Sequence, residues 1–343
     1  MADELSERQQ KILARVIQDH VLTAQPVSSK AIAQDTELAV SPATVRNEMA
    51  YLEQIGLLTH PHTSAGRVPT DQGYRYFVHH LMGSVQLPVA ERRTIRHQFH
   101  QSRPEVDQWM QLSAAILARA GRSASVITAP KASASRFKHL EMISTRETHV
   151  LLVLVLEGGI VRQQVLVLSQ PAEQEWLSTC ANQLNDLLKG LSAGDIQAKL
   201  PAMSAFEQQV VSLVASTMEQ YDARGMGTVY HAGVEEILSQ PEFSEAEGVR
   251  HVFRILEEGT VLLAPIFEEA LRASGVQVLI GGEGRWGELS EVSVILSRYG
   301  NVEQAAGVLG LVGPVRMSYP RAVSAVQFVG ALLSDLIEEF YPS

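Results

Sequence analysis

Apolar side chains recur at Val45, Met49, Leu52 and Ile55, a helical spacing that predicts one buried stripe along a largely polar segment. Ser41 stands just before it, where its hydroxyl can accept from the free N–H groups of a first turn. Pro42 takes the first helical position, where a missing N–H costs nothing. The opposite face carries Ala43, Arg46, Asn47, Ala50 and Gln54, and Gly56 ends the helix. Leu57 to His60 then reads as a short strand and Arg67-Val68 as its return, across the small turn Thr63-Ser64-Ala65-Gly66. Upstream, Leu5, Ile12, Leu13, Val16 and Ile17 predict a helix from Glu4 to near Asp19, and Ile32 faces inward on a second from Ser28 to near Asp35.

Three helices followed by a β-ribbon form the layout of a winged helix-turn-helix, in which one helix enters the DNA major groove and a wing lies beside it. Base-reading side chains belong near the N-terminus of that helix, where Arg46 and Asn47 stand. Arg makes a bidentate bond to guanine and Asn to adenine. Ala43, Thr44 and Ala50 are small enough for close approach and for contact with a thymine methyl, and Ser41 caps the end that faces the groove. Arg67 beside the turn is expected in the minor groove or on a phosphate, and Lys30 on a phosphate. Taken singly, Arg46 and Asn47 read as solvated surface residues; the helix, the wing and the two upstream helices together favour DNA binding.

Beyond this, Asp71 to near Met82 continues as a helix with Tyr74, Phe77, Val78 and Leu81 on one side, and Gly83 to Pro88 reads as a linker. Helices are expected over 90–101 and 105–121, and strands over 137–145, 149–157 and 160–169, the last two joined through Gly158-Gly159. Val150 to Leu156 is too short to cross a membrane and reads as a buried strand, and no longer apolar run is recognised. Helices follow over 173–190, 206–222, 234–239 and 245–272, then strands over 276–280, 292–299 and 308–312, and a closing helix over 321–340. Strands, then helices, then strands again is the order an insertion into a sheet domain would give, here at roughly 190–265.

A chain of 343 residues suggests two or three domains. Its N-terminus lacks a secretory apolar region, and the single cysteine, Cys180, excludes an internal disulfide and a Cys-rich zinc site, so the cytoplasm is expected. A net charge of −10 argues against nucleic acid as a partner. Residues 1–82 do not reverse it, with seven basic residues against nine acidic ones. Because affinity for DNA needs phosphate neutralisation, the basic groups must be segregated onto one face, and a dimer must couple two half-sites. Between 92 and 138 the balance tilts the other way, with nine basic residues from Arg92 to Lys138 against Glu105 and Asp107; these read as a solvated face, or in a minority reading as auxiliary contacts to an operator backbone.

No convergent catalytic set is recognised. Gly282-Glu-Gly-Arg-Trp-Gly287 fits G-x-G-x-x-G, yet the next segment reads as a strand, where a dinucleotide site needs a helix N-terminus. His60, His62, His79 and His80 do not converge as zinc ligands would. The adjacent carboxylates Glu235-Glu236, Glu257-Glu258 and Glu268-Glu269 point apart on a helix. No enzyme, cofactor or metal is expected.

The segments Leu5-Ser-Glu-Arg-Gln9, Pro26-Val-Ser-Ser-Lys30, Ser41 to Ala50, Leu52-Glu53, His62 to Thr70 and Gly73-Tyr-Arg-Tyr-Phe77 closely resemble the HrcA family of bacterial heat-shock repressors. So does a second block, Gly307-Val-Leu-Gly-Leu-Val-Gly-Pro-Val-Arg-Met-Ser-Tyr319. The resemblance implies an α+β multidomain protein: a winged helix-turn-helix domain, taken here as 1–88, and a GAF-like α/β domain, 89–343, interrupted by an inserted dimerisation domain. It implies a homodimer on double-stranded DNA, at the inverted-repeat operator called CIRCE ahead of chaperone operons, kept active by the chaperonin GroEL. The alternative is a metabolite-sensing winged-helix regulator with its ligand in the GAF-like domain. The chain departs from the family at Ile280-Gly-Gly-Glu-Gly-Arg-Trp-Gly287, where Ile-Gly-x-Glu-Asn is usual; the difference is expected to stay local and clear of the DNA-binding motifs.

Overall fold

A computed structural model describes residues 5–35, 38, 40–61, 66–83, 85–132, 134–146, 148–223, 228–243, 254, 263–282, 289–302 and 304–340. The expected turn at 63–65, His62, Glu257-Glu258, most of the predicted 245–272 helix and the loop after Gly282 as far as 288 lie outside them. In chain order the elements begin with α1 (Glu7–Thr23), α2 (Ser29–Ile32), α3 (Pro42–Gln54), β1 (Leu58–Thr59), β2 (Val68–Pro69) and α4 (Asp71–Tyr76), which runs into a π-helical turn, Phe77–Leu81. Next come α5 (Val89–Gln101), α6 (Val106–Gly121), β3 (Ala124–Thr128), β4 (Lys131–Ala132), β5 (Phe137–Arg146), β6 (His149–Leu156) and β7 (Val161–Val167). Then follow α7 (Gln174–Leu188), α8 (Ala193–Lys199), α9 (Ala205–Ala223), β8 (Val229–Ala232) and α10 (Val234–Leu238). The last are α11 (Ala264–Arg272), β9 (Val276–Ile280), β10 (Val292–Asn301), β11 (Ala305–Pro314) and α12 (Tyr319–Phe340).

The chain divides into two compact units. The first combines residues 1–130, 228–300 and 307–336. Its sheet has the order β8-β3-β11-β10-β9, antiparallel at β8-β3, β3-β11 and β10-β9. The central strand β11 is buried along its whole length, and so is β3. Full burial erases the apolar–polar alternation by which a half-buried strand is recognised, which is why β3 has no counterpart in the sequence reading. Helix α6 lies on β3, where Ser125 Oγ donates to the Ala114 carbonyl at 2.8 Å. Helix α12 crosses β10 and β11: the Gly300 N–H donates to Ser334 Oγ at 2.9 Å, and Gly330 sits against Leu309.

The glycines of the 307–319 block are explained by this packing. A Cβ on Gly310 would stand 2.1 Å from the Ile295 carbonyl oxygen, and one on Gly307 about as close to the Tyr299 ring, at 2.6 Å. Tyr299 is itself fully buried and donates from its hydroxyl to the Thr128 carbonyl at 2.5 Å. Over Tyr319–Glu339, α12 is long and apolar enough by composition to span a bilayer, which the expectation of no such run missed. Ala322, Ala325, Val326, Val329 and Leu333 are buried at helical spacing, as in a core helix.

The second unit contains residues 131–227 with 301–306 and 337–343. Its three-stranded antiparallel sheet, β5-β6-β7, buries Leu140, Met142, Leu152 and Leu154 against Leu177, Leu184 and Leu188 of α7 and Val210, Val214 and Met218 of α9. The strands therefore pack with the helices that follow them, and this compact span begins at Lys131. Strand β6 alternates buried and half-buried residues, so it covers a core with one face only. Cys180 on α7 is a half-buried free thiol packed against this core.

Candidate nucleic-acid interface

The N-terminal part of the first unit is built around Ile12, Leu13, Val16 and Ile17 of α1, Ile32 of α2, and Val45, Met49 and Leu52 of α3, all buried. Ser6 caps α1 in a capping box with Gln9, so the helix starts at Glu7, and it reaches Thr23 because the left-handed Ala24 ends it. Helix α2 has four residues, fewer than expected, and Ser28 caps it through the Ala31 N–H at 3.2 Å. Helix α3 follows the sequence reading: Ser41 Oγ accepts from the Thr44 N–H at 3.1 Å, Pro42 is the first helical residue, and Gly56 follows with φ +79°. Ile55 departs from it. It caps the C-terminus of α3, is 36% exposed and does not extend the buried stripe.

The side chains of Ser41, Ala43, Arg46, Asn47 and Ala50 are exposed on one helix, Thr44 is half-buried beside its cap, and Lys30 is exposed on α2. Most of the described carboxylates of this part of the chain are tied to its own cations. Glu48 takes Arg8 and Gln9, Glu7 takes Lys11, and Asp19 and Asp35 share Arg15. Arg75 donates to the Ile280 carbonyl at 2.7 Å. Among the described Lys and Arg side chains of 5–82, Lys30 and Arg46 are those with neither an ion pair nor a hydrogen bond. Five of the six described carboxylates here, all but Asp71, are thus paired internally, and the second and third helices each present an unpaired positive charge. That is the segregation a DNA-binding face needs when the net charge is unfavourable.

The wing is shorter than its predicted strands. Leu58 pairs with Pro69 and Thr59 with Val68, and Arg67 forms an antiparallel bridge with Val27 instead. The Arg67 N–H donates to the Val27 carbonyl at 3.0 Å, and the Val27 N–H returns to the Arg67 carbonyl at 2.8 Å. Gly66 permits this approach, since a Cβ there would lie 2.8 Å from the Pro26 backbone. The Arg67 side chain, 21% exposed, gives Nε to Glu53 Oε2 at 2.9 Å. Glu53 also pairs with His60 Nδ1 through its other oxygen. The His60 hydrogen bond, opposed by burial and assisted by Arg67, holds the Glu53 carboxyl below its ordinary range. Arg67 thus sits at the base of the wing, engaged with the end of α3 through Nε and Nη2. The sequence carried no signal of this pairing, because Arg67 lies fourteen positions after Glu53 and meets it only through the fold of the ribbon.

The loop that departs from the family pattern was expected to keep clear of the DNA-binding motifs. Its first residues instead dock on α4, next to the wing: Ile280 accepts from Arg75, and the Asp71 carboxylate fills the space a Cβ on Gly281 would need. Gly281 and Gly282 have φ of +60° and +65°, a backbone that favours glycine. The next strand after this loop is β10, as the sequence reading required. His79 and His80 lie on the π turn, with His80 against the Tyr76 ring. No group of three His, Cys, Asp or Glu residues that could hold a metal occurs among the described residues.

The profile described as the winged helix-turn-helix transcription repressor, HrcA DNA-binding, matches residues 4–81, and that of the HrcA protein C terminal domain matches residues 107–323. Heat-inducible transcription repressor HrcA of Roseiflexus sp. (strain RS-1) is 48% identical over 349 aligned residues, covering 99% of this chain and 97% of that one. The protein of the same name from Herpetosiphon aurantiacus is 48% identical, covering 98% of this chain and 97% of that one. A crystal structure of a hypothetical protein has a similar fold, with a TM-score of 0.59 at 23% identity and 98% of each chain covered.

Proposed function

Since the chain belongs to the HrcA family of heat-inducible transcription repressors, we propose that it is a sequence-specific repressor of heat-shock operons, acting in the cytoplasm as a homodimer on a CIRCE-type inverted repeat in double-stranded DNA. The observation that carries this reading is the pair of uncompensated cations, Lys30 and Arg46, on the helices that a winged helix presents to DNA. Arg46 and Asn47 read base edges in the major groove. Ala43 and Thr44 allow the helix to sit close, Ser41 orients its N-terminus, and Lys30 holds a phosphate. Arg67 serves the DNA backbone from the base of the wing.

In this reading the winged helix spans 1–88 and a GAF-like domain occupies the remainder, interrupted by a dimerising part. The second unit suits that part. The outer face of its sheet is apolar and exposed, with Ile143 of β5 and Val161, Val165 and Val167 of β7 between 44% and 59% accessible. A second copy would cover these side chains, and burying such a patch favours association. Two winged helices joined this way meet two half-sites of an inverted repeat, so the second contact is intramolecular. GroEL is the partner that keeps the repressor competent, and unfolded protein, by occupying the chaperonin, relieves repression.

The test is sedimentation and DNA titration of the full chain. A dimer that binds an inverted repeat more tightly than either half-site alone is expected, with Val165→Asp yielding monomers and losing that advantage. Val165→Asp dimers with unchanged binding would contradict the placement of the interface. The addition of GroEL is expected to raise the fraction of repressor competent to bind; an unchanged fraction removes the chaperonin from the scheme.

A further inference from the structure

The wing and α3 are connected through a single carboxylate. Glu53 is the second-last residue of α3, is 25% exposed, and accepts from both arms of the ribbon: His60, just after β1, and Arg67, just before β2. The backbone of Arg67 is in turn bridged to Val27, at the start of α2. One residue therefore joins the helix that carries Arg46 and Asn47 to both strands of the wing, and through Arg67 to the helix that carries Lys30. Two-residue strands hold little of their own: β1 and β2 pair over Leu58–Pro69 and Thr59–Val68 alone. Such a short ribbon takes its direction from what anchors its base.

We infer that Glu53 is a positioning residue of the DNA-binding surface, fixing the angle between the wing and the recognition helix by holding Arg67 and His60 together. It carries a negative charge next to a surface that must meet phosphates, so on charge alone its removal should strengthen binding to any DNA. As a positioning residue its removal does the opposite on the operator, because the wing and the helix no longer reach the duplex in register. The two effects have opposite signs, which makes the inference easy to test. It rests on the DNA-binding reading above.

The experiment compares the wild-type chain, Glu53→Ala and Glu53→Gln on a CIRCE-type inverted repeat and on a scrambled duplex of equal length, with amide hydrogen exchange of each protein off DNA. Glu53→Ala is expected to lose about tenfold on the inverted repeat, the size of one well-placed base contact, and nothing on the scrambled duplex. Glu53→Gln, which keeps an acceptor for Arg67, is expected to recover part of that loss. Exchange should quicken at Thr59, Arg67 and Val68 while Ile12 and Val45 stay protected. Unchanged or tighter operator binding by Glu53→Ala overturns the inference, as does an equal loss on both duplexes in a Glu53→Gln protein whose α1 and α3 amides stay protected. A wild-type chain without preference for the inverted repeat instead sinks the DNA-binding reading, and the inference with it.

Discussion

Arg316 donates from Nη1 to the main-chain carbonyl of Val21 at 2.6 Å, joining the 307–319 block to the last turn of α1. The same guanidinium binds Glu242 through Nε at 2.5 Å and Gln240 through Nη2 at 3.0 Å, and only 11% of it is exposed. Nearby, the rings of Tyr74 and Tyr319 lie 5.8 Å apart. Within the first unit, α1, which packs against α2 and α3, is thus fastened to the segment that follows β11. Arg316→Ala should lower stability by about 2 kcal/mol, as expected for losing hydrogen bonds to a charged donor. Amide exchange should quicken at 21–25. Unaltered exchange there would show that the joint is held by its apolar contacts instead.

Glu242 gives this joint a pH dependence. Burial pushes its carboxyl upward, but the Arg316 hydrogen bond and charge outweigh that and leave it below the ordinary value of 4.5. A group with a lowered folded-state value contributes stability that is fully present above its unfolded value and is lost as the pH falls through the folded one. The stability difference between the wild-type chain and Glu242→Gln should therefore be constant at neutral pH and shrink on acidification below about 4.5. Urea unfolding at a series of pH values checks this, and a difference that grows on acidification contradicts it.

Two glycines give opposite forecasts. Gly310 lies in the central strand with the Ile295 carbonyl where its Cβ would be, so Gly310→Ala should destabilise the first unit by roughly 3 kcal/mol through overpacking. Gly194, in the first turn of α8, has open space around it and no positive φ. Gly194→Ala should stabilise the second unit by roughly 0.5 kcal/mol by restricting the unfolded chain. Calorimetry of the two variants decides, and equal effects would show that close approach is not what selects glycine in the 307–313 run.

The two uncompensated cations should separate by function. Lys30→Ala is expected to weaken operator and scrambled DNA by similar factors and to reduce the salt slope by about 1, as one lost phosphate contact does. Salt titrations on both duplexes measure it, and a loss confined to the operator would make Lys30 a base reader.

Much of the DNA-reading face was legible because local rules determine it. Ser41, Pro42 and Gly56 mark the ends of α3 by capping chemistry, and the apolar stripe fixes its buried side, so the exposed side follows. Ile55 was misplaced because the helix ends one residue before it, and periodicity does not register that stop. Glu53, Arg67 and His60 were legible as residues and not as a cluster, since their pairing depends on how the ribbon folds back. The outer strands β5, β6 and β7 alternate and were located to within two residues, whereas β3, buried throughout, and β8, four residues long, left no periodic trace. The span of the second unit was not legible either, because strands that pack on their own helices have the same sequence pattern as strands of a larger sheet.

Whether this chain reads DNA sequence through α3 is decided by titration of the wild-type chain and Arg46→Ala against a CIRCE-type inverted repeat and a scrambled duplex at two salt concentrations. The wild-type chain is expected to bind tightly and in a way that depends on the repeat. Arg46→Ala is expected to lose about 1–3 kcal/mol on the repeat, with relaxed preference at one base position and little change on the scrambled duplex. Equal, salt-sensitive binding of both duplexes by the wild-type chain, or an equal loss on both for Arg46→Ala, would contradict sequence reading through α3.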